Sequence, residues 1–240
     1  LLMIRQVVSG FLHGHDPIVA ERWYYRYHSK ECVRAFGPWL RRYETYKTLP
    51  PPPQAERFGL RNSFLTELWY ANLEDYVEAD PYNRKLTPMT SLPPGTAEVE
   101  PCHILVPARP TEDFLGKEPA LEEVSIMRWF CLFRYPEGVS PEEGERWYLD
   151  THSQEVKEQP GLLKYVSHRA LENPLFSGVW HRMSELWYEN MDAWRRAVVD
   201  SPPRYTPPPW NSEYPFVHLV SVFVRNTPDV DFLKDNPIIP

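Results

Sequence analysis

Glu21-Arg22-Trp23-Tyr24 followed by His28-Ser29-Lys30-Glu31 recurs 124 residues later as Glu145-Arg146-Trp147-Tyr148 followed by His152-Ser153-Gln154-Glu155. Asp16-Pro17 precedes the first stretch and Ser140-Pro141 the second. Further on, Glu67-Leu68-Trp69-Tyr70-Ala71-Asn72 is echoed by Glu185-Leu186-Trp187-Tyr188-Glu189-Asn190. The chain of 240 residues therefore reads as two tandem copies of one unit, 1–120 and 121–240, each the size of a small domain.

Working outward from the repeat, residues 125–135 are aromatic and β-favouring and read as a strand. Ser140 then caps a helix, with Pro141 at its first position and Glu143 completing an S-x-x-E box. This helix spans about 141–157 and stops before Pro160-Gly161. Strands at 162–169 and 180–188, a helix from 190 or 191 to 200, and a strand at 216–225 complete the copy. The first copy repeats the order: strand 3–12, helix from Pro17, strands 40–46 and 62–70, helix from about Leu73, and a last strand near 103–106. The pattern is βαββαβ, the ferredoxin-like unit. One face of its sheet carries helices and the other must be buried. The expected fold is α+β, with two tandem ferredoxin-like units forming an α+β barrel.

Hydrophobic residues make up 42% of the chain and charged ones 25%, which is ample for a core. A net charge of -7 without clustered Lys and Arg argues against a nucleic-acid partner. No apolar run approaches the roughly 20 residues that span a bilayer, so no membrane role is expected. The first ten residues lack the basic and apolar regions of a signal peptide, and the three cysteines form no CxxC. The cytoplasm is the expected compartment. The 27 prolines gather in rigid connections, which we read as loops around a cavity mouth.

Chemistry is expected at the two histidines. Tyr24 and His28 stand at i, i+4 on one helix face, as do Tyr148 and His152 in the second copy. A histidine flanked by phenols can pass a proton near neutral pH, although a helix histidine can equally serve packing. Strand alternation sets Glu67 beside Leu65 and Trp69, and Glu185 beside Met183 and Trp187. Desolvation there would raise a carboxyl pKa, whereas pairing with Arg57 or Arg61 would make Glu67 structural. No metal set, glycine-rich phosphate loop or nucleophile elbow is present, so no cofactor and no metal are expected. The many Tyr and Trp residues suit a pocket for a flat aromatic ligand. A homo-oligomer is compatible with the tandem copies but not required by them.

The stretches from Arg22 to His28 and Tyr43 to Tyr46, then Pro52-Pro53-Gln54-Ala55-Glu56-Arg57-Phe58-Gly59 and Leu65-Thr66-Glu67, resemble bacterial chalcone isomerase. Pro136-Glu137-Gly138-Val139 and Glu185 to Asn190 continue the likeness in the second copy. More distantly, the chain is similar to EthD-like and other dimeric α+β barrel proteins. The resemblance implies a cofactor-free isomerase or intramolecular lyase for a phenolic, flavonoid-like substrate, with His28 as general acid/base. It leaves His152 and Glu67 as further catalytic candidates. It implies a pocket wall of Tyr25, Tyr46 and Gln54, to which Tyr24 and Trp69 are added from their faces. A non-catalytic binding protein for aromatic metabolites is the alternative.

Overall fold

The computed structural model describes residues 2–11, 16–59, 64–81, 100–120, 126–210 and 217–234. The expected strand ends at 12, 62–63, 125 and 216 lie outside these residues. The first copy runs β1 (Ile4–Phe11), α1 (Pro17–Phe36), β2 (Leu40–Lys47), β3 (Phe64–Tyr70), α2 (Leu73–Ala79) and β4 (Glu100–Pro107). A short β5 (Glu112–Asp113) follows. The second copy runs β6 (Met127–Arg134), α3 (Pro141–Val156), β7 (Lys164–Arg169), β8 (Arg182–Tyr188), α4 (Met191–Asp200) and β9 (Val217–Arg225), and a short β10 (Val230–Asp231) closes it.

The repeated motifs start the helices. The Asp16 carboxylate accepts from the Ile18 and Val19 amides ahead of α1, and the Ser140 hydroxyl from the Glu143 amide ahead of α3. The echoed asparagines do the same for α2 and α4, where Asn72 accepts from the Asp75 amide and Asn190 from the Ala193 amide. Mid-helix, both α1 and α3 widen into a π segment, Tyr24–His28 and Tyr148–His152. The serine after each histidine tolerates this widening, because the Ser29 hydroxyl donates to the Tyr24 carbonyl and the Ser153 hydroxyl to the Leu149 carbonyl.

The strands form two five-stranded antiparallel sheets, ordered β10-β2-β3-β1-β4 and β5-β7-β8-β6-β9. The four long strands of each follow the ferredoxin-like order, as the α+β reading expects. The bare faces meet in an apolar layer that includes Val7, Leu65, Ile104, Phe130, Met183 and Val222. The Leu49 amide donates to the Phe223 carbonyl, and the Leu171 amide to the Leu105 carbonyl. These two stitches tie the end of β2 to β9 and the end of β7 to β4, which closes the barrel.

The copies also exchange parts. Strand β5 follows the first copy but pairs with β7, while β10 follows the second but pairs with β2. Two-residue edge strands carry no period-2 signal, and the sequence reading had neither. The Pro53–Phe58 turn, within the Pro52-to-Gly59 stretch of the resemblance, is an arm onto the other copy. Its Ala55 and Phe58 are buried in the second copy's helix-side core beside Trp129 and Trp194. Gly59 ends the arm at φ 62, in the left-handed region that glycine enters at no cost. Among the described residues, no helix is long and apolar enough to cross a membrane.

Candidate functional site

The predicted site residues fall on different surfaces of the barrel. Glu67, Tyr46 and Trp69 point between the sheets. His28, Tyr24 and Tyr25 lie in the helix layer on the opposite face of the first sheet, and His152 lies in the helix layer of the second copy. Gln54 is exposed on the arm.

Between the sheets, Glu67 and Glu185 are buried with two arginines that the sequence reading missed, Arg5 on β1 and Arg128 on β6. Arg5 donates to Glu67 Oε1 at 3.3 Å and to Glu185 Oε1 at 2.7 Å. Arg128 donates to Glu67 Oε1 at 3.0 Å and to Glu185 Oε2 at 3.1 Å. Each arginine therefore holds both carboxylates. Arg128 also reaches the Tyr46 hydroxyl at 3.3 Å, and at the matching register Arg5 reaches His168 Nε2 at 3.0 Å. Because Arg5 can only donate, His168 accepts at Nε2 and gives its Nδ1 proton to the Pro107 carbonyl at 3.0 Å. Burial and the nearby Arg5 charge hold the His168 pKa below its ordinary value.

This overturns two expectations. Glu67 pairs with Arg5 and Arg128, not with Arg57 or Arg61. Arg57 lies on the arm, bonded to the Val198 carbonyl, and Arg61 is outside the described residues. The expected rise in carboxyl pKa fails at Glu185. Burial does work against its charge, but Arg128 and Arg5 outweigh burial and hold the pKa well below the usual range. Trp69 lines the same interior, with Arg5 and Arg42 each 5.2 Å from its ring. Burial and the Glu67 charge raise the Tyr46 pKa.

In the first copy's helix layer, His28 is partly exposed at the end of the π segment. Its ring packs on Trp23 at 4.6 Å and near Tyr24 at 5.7 Å, and its Nε2 is 3.6 Å from Cys32 Sγ. Tyr24 is not a pocket group: its hydroxyl is buried between those of Thr45 and Thr66, at 2.8 and 2.7 Å. Burial raises its pKa. Tyr25 is half-buried against Phe64 and Phe232, and its buried hydroxyl has no hydrogen-bond partner among the described residues. Burial and the neighbouring Tyr24 raise the Tyr25 pKa.

The second copy preserves this frame and alters its contents. Tyr148 again bonds a strand hydroxyl, Ser184 at 2.8 Å, and Trp147 stacks on His152 at 5.0 Å. Yet Val156 stands where the first copy has Cys32, Leu149 where it has Tyr25, and Arg182 where it has Phe64. Phe64 stacks on Tyr24 at 4.3 Å, whereas the buried Arg182 guanidinium sits 5.1 Å from the Tyr148 ring. Arg182 is clamped there by Glu112 of β5 and by Glu145 of α3, at 2.7 Å to the latter. Burial pushes the His152 pKa down to about 4. Among the described residues, no group of three or more His, Cys, Asp and Glu is placed to hold a metal.

Residues 5–92 match the family model described as the chalcone isomerase N-terminal domain, so the resemblance holds for the segment that contains His28. No curated protein sequence matches the chain. Among solved structures, an anthrone oxidase-like protein superposes with a TM-score of 0.53 at 10% identity, covering 93% of this chain and 90% of its own. A chlorite dismutase variant from Candidatus Nitrospira defluvii gives 0.49 at 8% identity, over 92% and 90% of the two chains. An EthD family protein from Bacillus halodurans C-125 gives 0.29 at 20% identity, over 31% of this chain and 72% of that one. At these identities, the first of the three shows a shared fold.

Proposed function

We propose that the chain is a cofactor-independent isomerase, an intramolecular lyase for a phenolic enone such as a hydroxychalcone, and that the first copy holds its site. The observation that carries this reading is the asymmetry within a duplicated frame. Inside the segment resembling the chalcone isomerase N-terminal domain, a partly exposed histidine stands beside a thiol, and on the same helix the Tyr25 hydroxyl has no hydrogen-bond partner among the described residues. The other copy has Val156, Leu149 and a clamped arginine at the matching places.

His28 acts as the general acid/base. In ring closure the substrate's phenol loses its proton to the histidine, and the phenol oxygen bonds to the β-carbon of the enone. The α-carbon of the resulting enolate then takes the proton back, so atoms balance with no second reactant. Orientation and one proton relay are all the protein must supply. The Tyr25 hydroxyl orients the substrate's carbonyl or phenol. Glu67, held by two arginines on the opposite sheet face, supports the barrel, and His152 supports the second helix layer.

The test follows the visible absorbance of butein mixed with purified protein, with His28→Ala and His152→Ala alongside. Bleaching that His28→Ala alone abolishes is expected. Bleaching no faster than buffer would discard this substrate class. Quenching of tryptophan fluorescence without bleaching would favour a binding protein for aromatic metabolites.

A further inference from the structure

The mechanism above uses one nitrogen of His28, and the structure bears on which one. Cys32 lies one turn beyond His28 on α1, buried, with its sulfur 3.6 Å from Nε2. The Tyr43 hydroxyl interacts with the same sulfur and with the hydroxyl of Tyr24, which rests on Thr45 and Thr66. A buried run of hydroxyls thus leads from strands β2 and β3 to the thiol and ends on the imidazole. The second copy builds the same run from Ser184, Tyr148 and Tyr165, and there it stops, because Val156 replaces the cysteine.

We propose that Cys32 is a positioning residue for His28, its sulfur accepting from Nε2–H so that the neutral ring is unprotonated at Nδ1, the nitrogen that takes the substrate phenol's proton and returns it. This rests on the isomerase reading for its chemistry but not for its geometry. Burial pushes the Cys32 pKa up to about 12, so the sulfur stays a neutral thiol at neutral pH and offers Nε2–H a lone pair as a weak acceptor. When His28 takes a proton at Nδ1, the Nε2–H contact to sulfur is unchanged. The thiol therefore serves both states of the ring without becoming a nucleophile. The ionisable groups identified around it are Tyr24, Tyr43 and Glu31.

The experiment compares wild type with Cys32→Ser, which keeps an acceptor, and Cys32→Val, which copies a residue the second copy already packs at this place. Nitrogen-15 spectra of the His28 ring read the tautomer directly, and butein bleaching against pH reads the consequence. Wild type and Cys32→Ser are expected to show the Nε2–H form. Cys32→Val is expected to show a mixture and to lose about tenfold in kcat/KM with a displaced pH profile, a fraction of the roughly 10²–10⁴-fold of general acid–base catalysis. Unchanged ring signals in folded Cys32→Val would overturn the proposal. Signals that shift while even wild type fails to bleach butein would uphold the positioning role and remove the isomerase reading instead.

Discussion

The buried charge cluster makes a quantitative prediction about Glu185→Gln. Each carboxylate in the cluster accepts from both arginines, so the four side chains sum to no net charge. Neutralising one leaves a buried cation without its partner, and the new amide NH2 faces donors that cannot accept it. Removing one member of a buried pair costs about 3–5 kcal/mol. For a chain this long, each kcal/mol moves the midpoint by roughly 2–4 °C, so a fall of about 6–20 °C is expected. A pH series gives an independent check. The folded pKa of Glu185 lies below its unfolded value, so its contribution is complete above about pH 4.3 and is lost as the pH falls further. The acid limb of wild type should therefore be steeper than that of Glu185→Gln. Thermal and denaturant unfolding of Arg5→Met, Glu185→Gln and the double variant complete the cycle. The double variant should lose less than the two singles summed, because it removes one charge of each sign. A midpoint within about 1 kcal/mol of wild type, or strict additivity across the cycle, would refute the idea that these charges act as one unit.

Gly144 lies in α3, where alanine normally stabilises a helix by up to about 1 kcal/mol. Here an added Cβ would overlap the Tyr135 ring. We therefore expect Gly144→Ala to lose about 1–3 kcal/mol in denaturant titration, and a gain would show that the ring moves freely. His103 and His152 both have folded pKa values pushed down to about 4 by burial, against about 6.5 unfolded. The unfolded chain takes up those protons first as the pH falls, so stability should decline between about pH 6.5 and 4. His152→Gln should shrink that decline, and an equal slope in wild type and variant would show that His152 does not contribute to it.

The order of strands and helices was legible because each long element carries its own period, and because a duplicated chain states every motif twice. Asn72 and Asn190 read first as echoes and then as helix caps. The short β5 and β10 were not legible, since two residues carry no period and their partners lie in the other copy. The Pro52-to-Gly59 segment carried part of the likeness to bacterial chalcone isomerase while its purpose stayed hidden, because Ala55 and Phe58 are buried among residues of the other copy, Trp129 and Trp194 among them. The arginine partners of Glu67 left a trace: Arg5 and Arg128 interrupt apolar strands at matching positions, which is costly unless a carboxylate waits opposite. Cys32 left none, because an isolated cysteine on a helix gives no hint that an imidazole stands one turn away.

The two halves of the molecule diverge where the physics lets them. On the barrel axis, Arg5, Glu67, Arg128 and Glu185 form a closed set in which every cation touches every anion, so no member can change alone without stranding a buried charge. The matching Tyr46 and His168 differ, but each only accepts from an arginine whose charge is already balanced. In the helix layers the constraint is weaker. Cysteine and valine, or tyrosine and leucine, fill similar space, and a change in one copy leaves no orphan in the other. Phenylalanine to arginine at 64 and 182 is the harder exchange, and it occurs where Glu112 and Glu145 are both at hand to clamp the guanidinium. Such a fold can keep a symmetric, load-sharing interior and still reserve one of two equivalent helix layers for chemistry. On the reading proposed above that layer is the one with Cys32 and Tyr25, since the other holds Val156 and Leu149 at the matching places, beside the clamped Arg182.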